Sequence, residues 1–240
     1  KNGDAAPSRE LKVDHGAWGV AIDQDNEEVA ITTEHINKLS IYRRTATGKE
    51  LPLRIVQGPR TGIADPHGAF IDPKHNEIYV SNNGAWHLVR TGETEINGVP
   101  DWWKGYDLAN KVQAQPPETS LLPSTGRYLR PSITVYPRTA NGDVVPSRTI
   151  QGEKTQLSTP LGIYVDYEHN ELAVANDGGD SVLIFSTSAN GDVVPLRVLK
   201  GPATGIKFPS GVWIDTKNDE IWVANWGNHS ATVYPRTAQG

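Results

Sequence analysis

One phrase recurs along this chain. Asn2-Gly3-Asp4, Asn141-Gly142-Asp143 and Asn190-Gly191-Asp192 open it, and Thr47-Gly48-Lys49 opens it in degenerate form. A Pro and an Arg follow each opening: Pro7 and Arg9, Pro52 and Arg54, Pro146 and Arg148, Pro195 and Arg197. Self-similarity at a spacing of 45 to 50 residues is the mark of a solenoid, a propeller or an array, in which each unit buries its apolar face only against a neighbour.

Set in register, the copies predict four short strands per unit. The first runs Gly-to-Asp: Gly19 to Asp23, Gly68 to Asp72, Gly162 to Asp166 and Gly211 to Asp215. Its Gly suits close backbone packing and its Asp opens a turn. A second strand follows each of Glu28, Glu77, Glu171 and Glu220, and ends at Thr33, Asn82, Asn176 and Asn225. The third strands end in Tyr42, Tyr136, Phe185 and Tyr234, and the fourth carry the Pro-x-Arg phrase. These runs are β-branched and aromatic, and Gly, Asn, Asp or Pro bounds them. The expectation is an all-β chain of four-stranded antiparallel blades, a β-propeller.

The residues also resemble the NHL repeat. Pro209-Ser-Gly-Val-Trp-Ile-Asp215, then Ile221-Trp-Val-Ala-Asn225, Asn228-His229 and Val233-Tyr234, carry the likeness most fully, and it extends to all four units. A more distant similarity is to gluconolactonase-type propellers and virginiamycin B lyase. It implies a metal on the axis held by acidic and Asn ligands. The acidic ligand expected early in the first blade is absent, and His15 and Trp18 stand there instead.

Strand bookkeeping predicts a single propeller domain over 1–240, with blades at about 14–57, 58–151, 152–200 and 201–240. Residues 7–13 form a fourth-strand phrase with no first strand before it, so they are expected to complete the last blade and hide its edge. An eight-bladed ring from two chains and a piece of a longer propeller are the alternatives.

The second unit contains an insertion at 88–131, polar and Pro-rich, with the cluster Trp102, Trp103 and Tyr106. Insertions of this length carry function or are unstructured. It reads as a surface arm packed on its own blade, or as a lid or interaction arm with paired Trp as anchor.

Composition narrows the chemistry. There is no Cys, which removes disulfides, thiolate metal sites and a Cys nucleophile. Net charge is −5 with scattered Lys and Arg, so no nucleic-acid face is expected. No apolar run reaches the length of a membrane-spanning helix. Absence of Met as well as Cys, with abundant Trp, Gly and Pro, suits a secreted chain whose signal peptide has been removed, extracellular or periplasmic. Asn228-His229-Ser230 matches the glycosylation pattern of such a setting.

Candidate binding residues follow from propeller geometry, in which first strands line a channel. Trp18, His67, Asn82, Asn83, Asn176, Asp177, Asn225 and Trp226 are expected around its mouth. Amide and carboxylate oxygens there suit a divalent cation such as calcium. A strand-ending Asn equally serves its own loop backbone. His75 and His169 read as solvated turn residues, and the repeated Arg residues as blade-to-blade pairs with acidic neighbours. The expected function is a non-enzymatic, extracytoplasmic binding or assembly scaffold without a cofactor, which self-associates or binds a protein; a small-molecule ligand is also compatible. The alternative is a cation-dependent lactonase, esterase or lyase.

Overall fold

A computed structural model describes residues 3–86 and 127–240. The regular secondary structure is nearly all strand. Blade 1 comprises β1 (Ala17–Asp23), β2 (Glu28–Thr33), β3 (Lys38–Arg43) and β4 (Arg54–Val56). Blade 2 comprises β5 (Pro66–Asp72), β6 (Glu77–Asn82), β9 (Ser132–Pro137) and β10 (Arg148–Gln151). Between its middle strands, β7 (Ala85–Trp86) pairs with β8 (Arg127–Tyr128), where the chain leaves for the insertion and returns. Blade 3 comprises β11 (Pro160–Asp166), β12 (Glu171–Asn176), β13 (Ser181–Ser186) and β14 (Arg197–Lys200). Blade 4 has three strands: β15 (Pro209–Asp215), β16 (Glu220–Asn225) and β17 (Ser230–Pro235). All pairing within blades is antiparallel between sheet neighbours, so the molecule is a four-bladed β-propeller.

Each turn between first and second strands is built the same way. The Asp closing the first strand accepts backbone N–H groups of the turn, as Asp23 does from Asp25 and Asn26, and Asp166 from Glu168 and His169. The fourth turn position adopts positive φ in Glu27, Asn76, Asn170 and Asp219. His75 and His169 are exposed in these turns, as the sequence suggested, and each also has a structural partner. Their Nδ1 atoms lie 2.6 Å from the carboxylates of Asp72 and Asp166, which closes the turn from outside.

Blades pack face to face. One core joins Ala21, Ala30 and Ile41 of blade 1 to Ala69, Ile71 and Ile78 of blade 2. Equivalent cores join blade 2 to blade 3 and blade 3 to blade 4. At the axis the first strands approach so closely that only Gly fits. A Cβ on Gly19 would lie 2.1 Å from the His67 carbonyl oxygen, and one on Gly68 would lie 2.4 Å from that of Leu161.

The Asn-Gly-Asp phrase proves to be a clasp between blades. Gly142 of blade 2 forms a parallel bridge with Val56 on β4, and Gly191 of blade 3 does the same with Ile150 on β10. Gly240 repeats the contact on β14, donating to the Val198 carbonyl and accepting from Lys200 N–H. Asn141 Oδ1 accepts from Ile55 N–H, and Asp143 Oδ1 from Arg60 N–H.

The N-terminal segment corrects one expectation. Among the described residues, 7–13 do not complete blade 4 and β17 pairs only with β16. Leu11 instead bridges Gly48 of blade 1, with Lys12 N–H donating to the Gly48 carbonyl and Gly48 N–H to that of Glu10. The clasp fixes the segment beside blade 1, and the end faces of blades 1 and 4 do not close on each other, since Val20 and Trp213 stay exposed. Leu11 and Val13 add apolar contact with Ile31, Tyr42 and Ala46 on the outer face of that blade. A buried ion pair between Lys38 and Asp14 fastens the end of the segment.

Candidate functional site at the propeller mouth

Three of the four corner residues that precede a first-strand Gly converge on one cleft. Trp18, His67 and Ser210 line one cleft of about 220 Å³ together with Gly68, Gly162 and Ile163. The Trp18 indole meets the His67 imidazole edge-on, with centroids 4.5 Å apart. His67 Nδ1 lies 3.1 Å from the Asp65 carbonyl oxygen.

Beside His67 sits an acidic pair. Glu34, Asp65 and His67 each place one potential ligand atom within 4.8 Å of the others. Burial pushes the Asp65 carboxyl up to about 7, and the neighbouring Glu34 carboxylate adds to the effect. Burial lowers the basicity of His67, while the Asp65 carbonyl and the charge of Glu34 oppose that shift. Two carboxyl groups this close share a proton, or a cation replaces it. One buried imidazole nitrogen and two carboxylate oxygens suit a divalent ion with nitrogen and oxygen preferences. Asn83 hydrogen-bonds Asp65, and its buried Oδ1 has no partner among the described residues.

The strand-ending Asn residues do something else. Asn82 Oδ1 accepts from Ala64 N–H, Asn176 Oδ1 from Ser158 N–H and Asn225 Oδ1 from Lys207 N–H. Their Nδ2 groups donate to Thr134, Ser181 and Thr232 hydroxyls respectively. All three amides tie the incoming corner loop to its own blade, so they form no ring of oxygen ligands. Asp177 and Trp226 do meet, since Trp226 Nε1 donates to Asp177 Oδ1 at 2.7 Å, and the indole stacks on Phe208. The anchor residues Trp102, Trp103 and Tyr106 lie outside the described residues.

Glu34 and Asp65 are the residues that sequence reasoning missed. Glu34 occupies the position of Asn83, Asp177 and Trp226, one beyond the second strand. Reading that column through blade 1 finds it. Asp65 shares its corner with Gly16, Thr159 and Phe208, all at positive φ, and is the one acid among the four.

The repeated Arg residues pair as chain-wide struts. Arg54 reaches Glu28, Arg148 reaches Glu77 and Arg197 reaches Glu171, each through two bonds and each within one blade. Blade-to-blade pairing comes from a second set: Arg138 of blade 2 binds Glu28, and Arg236 of blade 4 binds Glu171. Burial raises the Glu171 carboxyl, but Arg197 and Arg236 more than offset it and hold the group below the usual carboxylate range.

Compared with known proteins, the chain matches no protein-family model and no curated protein. Among solved structures it is similar to a chain in the crystal structure of a nidogen/laminin complex, at 13% identity and a TM-score of 0.54. The likeness is one of fold. It covers 91% of this chain and 60% of the other, so this chain spans less than two thirds of its neighbour's length. Among the described residues no helix is long and apolar enough to cross a membrane.

Proposed function

We propose that this chain is a non-enzymatic β-propeller scaffold that acts outside the cytoplasm and binds protein through the sheet faces at the two ends of its blade series. One observation carries the reading. Val20 is 61% exposed where its counterparts Ala69 and Ile163 are 9% and 7% exposed, and Trp213, at 59%, stands where Ala21 is buried. Ile22, Trp222 and Val233 extend the two exposed apolar faces. Faces of that kind mark interaction surfaces. The structural neighbour comes from a complex of nidogen with laminin, which supports protein binding. The lack of Cys and Met supports an extracytoplasmic setting. The 88–131 insertion, with Trp102, Trp103 and Tyr106, supplies a second anchor in this reading.

The test is photo-crosslinking in the producing cells, with a photoreactive phenylalanine analogue at position 213 and a control at exposed Leu51. A protein adduct from 213 and none from 51 is expected. Equal or absent adducts would sink the scaffold reading.

A second reading rests on Glu34, Asp65 and His67. In it the mouth holds a divalent cation, and the protein is a lactonase, esterase or lyase. The residues present would supply two carboxylates and one imidazole, and the ion would polarise a substrate carbonyl. A stoichiometric divalent ion in purified protein, lost in Glu34→Gln and His67→Ala together with turnover of lactones or esters, would establish it. Metal-free protein without turnover would dismiss it.

A further inference from the structure

The two exposed end faces are halves of the same interface that joins each blade to the next. On the trailing face of blade 4, Trp213, Trp222 and Val233 stand where Ala21, Ala30 and Ile41 of blade 1 pack on blade 2. On the leading face of blade 1, Val20 and Ile22 stand where Ala69 and Ile71 of blade 2 receive them. The polar parts are divided in the same way. Glu220 begins β16 where Glu28, Glu77 and Glu171 begin their strands, yet among the described residues no Arg reaches it; it accepts from the Trp222 indole N–H at 3.3 Å. Arg9 carries the strut position of Arg54, Arg148 and Arg197, yet among the described residues no carboxylate reaches it. It donates to the Arg44 carbonyl, as Arg54 donates to that of Arg138 and Arg197 to that of Arg236. Arg44 itself holds Glu27 through Nε and Nη2. Arg236, at the equivalent position, holds Asp219 through Nε and reaches Glu171 of the preceding blade through Nη1.

Resting on the scaffold reading, we propose that the partner is a second copy of this chain, docked head to tail. Residues 9–12 of one copy add to the open edge of β17 in the other as its fourth strand. The register is set by the internal copies. Arg54 opposes Ile41, and Arg197 opposes Ile184, so Arg9 opposes Val233; by the same offset Leu11 opposes Ala231. Arg9 and Arg44 then close on Glu220 of the other copy, as Arg197 and Arg236 close on Glu171. The added strand is already held in place by the Gly48 clasp and the Lys38–Asp14 pair, so little ordering is needed on association. The contact is heterologous, and it gives a ring if its rotation closes and a filament if it does not.

Gly211 provides a test that spares the fold. A Cβ at Gly19, Gly68 or Gly162 would strike the backbone of the next blade, at 2.1, 2.4 and 2.8 Å. At Gly211 it meets only the Ala224 Cβ at 3.6 Å, because among the described residues no blade packs against that face. Head-to-tail docking brings the Trp18 carbonyl of a second copy to that place. Sedimentation equilibrium should give wild-type species at multiples of 26.2 kDa. Gly211→Ala and Arg9→Glu should unfold at wild-type temperatures yet associate at least tenfold more weakly. Combining Arg9→Glu with Glu220→Arg should recover most of the association. Wild-type protein that stays at 26.2 kDa at high concentration, or Gly211→Ala that associates as well as wild type, would overturn the proposal. A crosslinked adduct from position 213 with a different protein, or coverage of that face by further blades of a longer chain, would likewise overturn it. The different-protein adduct would leave the scaffold reading standing.

Discussion

At the level of single residues, the molecule spends its charge on struts and concentrates an unusual proton affinity at the mouth. Glu171 is nearly buried and accepts from two guanidinium groups, so Glu171→Gln leaves two cations poorly compensated and should cost about 3 kcal/mol in denaturant unfolding. Glu220→Gln, at a site with no Arg among the described residues, should cost under about 1 kcal/mol. Equal losses at the two positions would contradict the strut assignment. Asp65 works in the opposite direction. Its folded pKa of about 7 lies above its ordinary 3.8, so the folded state keeps a proton that the unfolded state has released. Its favourable contribution is complete below pH 4 and is lost as pH rises towards 7. In chelator-treated protein, Asp65→Asn should therefore gain stability relative to wild type between pH 5 and pH 8, read from the denaturation midpoints; a constant difference would contradict the raised pKa. The repeated Arg and Glu were legible in sequence because they recur at fixed offsets, although which Glu each Arg chooses was not. Asp65 was hidden because its corner carries four different residue types.

At the level of strands and turns, periodicity did most of the work. The Gly-to-Asp first strands and the apolar second strands emerge where the repeat places them, extended by two residues at the Pro corners. What could not be read was the partner of each phrase. Asn-Gly-Asp was visible only as the opening of a repeated phrase, and its bonds run across to the outer strand of the blade before. Parallel bridges between distant segments leave no local pattern. The close approach of the first strands has a sharp consequence for substitution. Gly68→Ala would drive a methyl into the Leu161 carbonyl, and Gly19→Ala into that of His67. Each should lower stability by at least about 2 kcal/mol in thermal or chemical unfolding, since backbone on both sides resists the shift. Either variant unfolding like wild type would mean that the axis is looser than described.

Across the whole molecule, stability is graded rather than uniform. Blade 3 is covered on both faces and its four strands are paired, whereas blade 4 presents an unpaired edge at β17. Hydrogen exchange on dilute protein should find the β17 amides that point away from β16 among the fastest of any strand, and those of β12 and β13 among the slowest. Uniform protection across the four blades would contradict this ordering. Four blades were countable from the sequence, but whether the N-terminal segment reaches blade 4 was not, because that depends on whether the two end faces meet, which no local pattern records. Gly48 holds the segment beside blade 1, and the edge of β17 stays open. The clasp also bears on how such chains grow. A duplication that copies the sequence from one Asn-Gly-Asp to the next copies a fastener along with the sheet it serves. Each newcomer therefore arrives able to grip its predecessor, and the number of units can change over generations without altering any established joint.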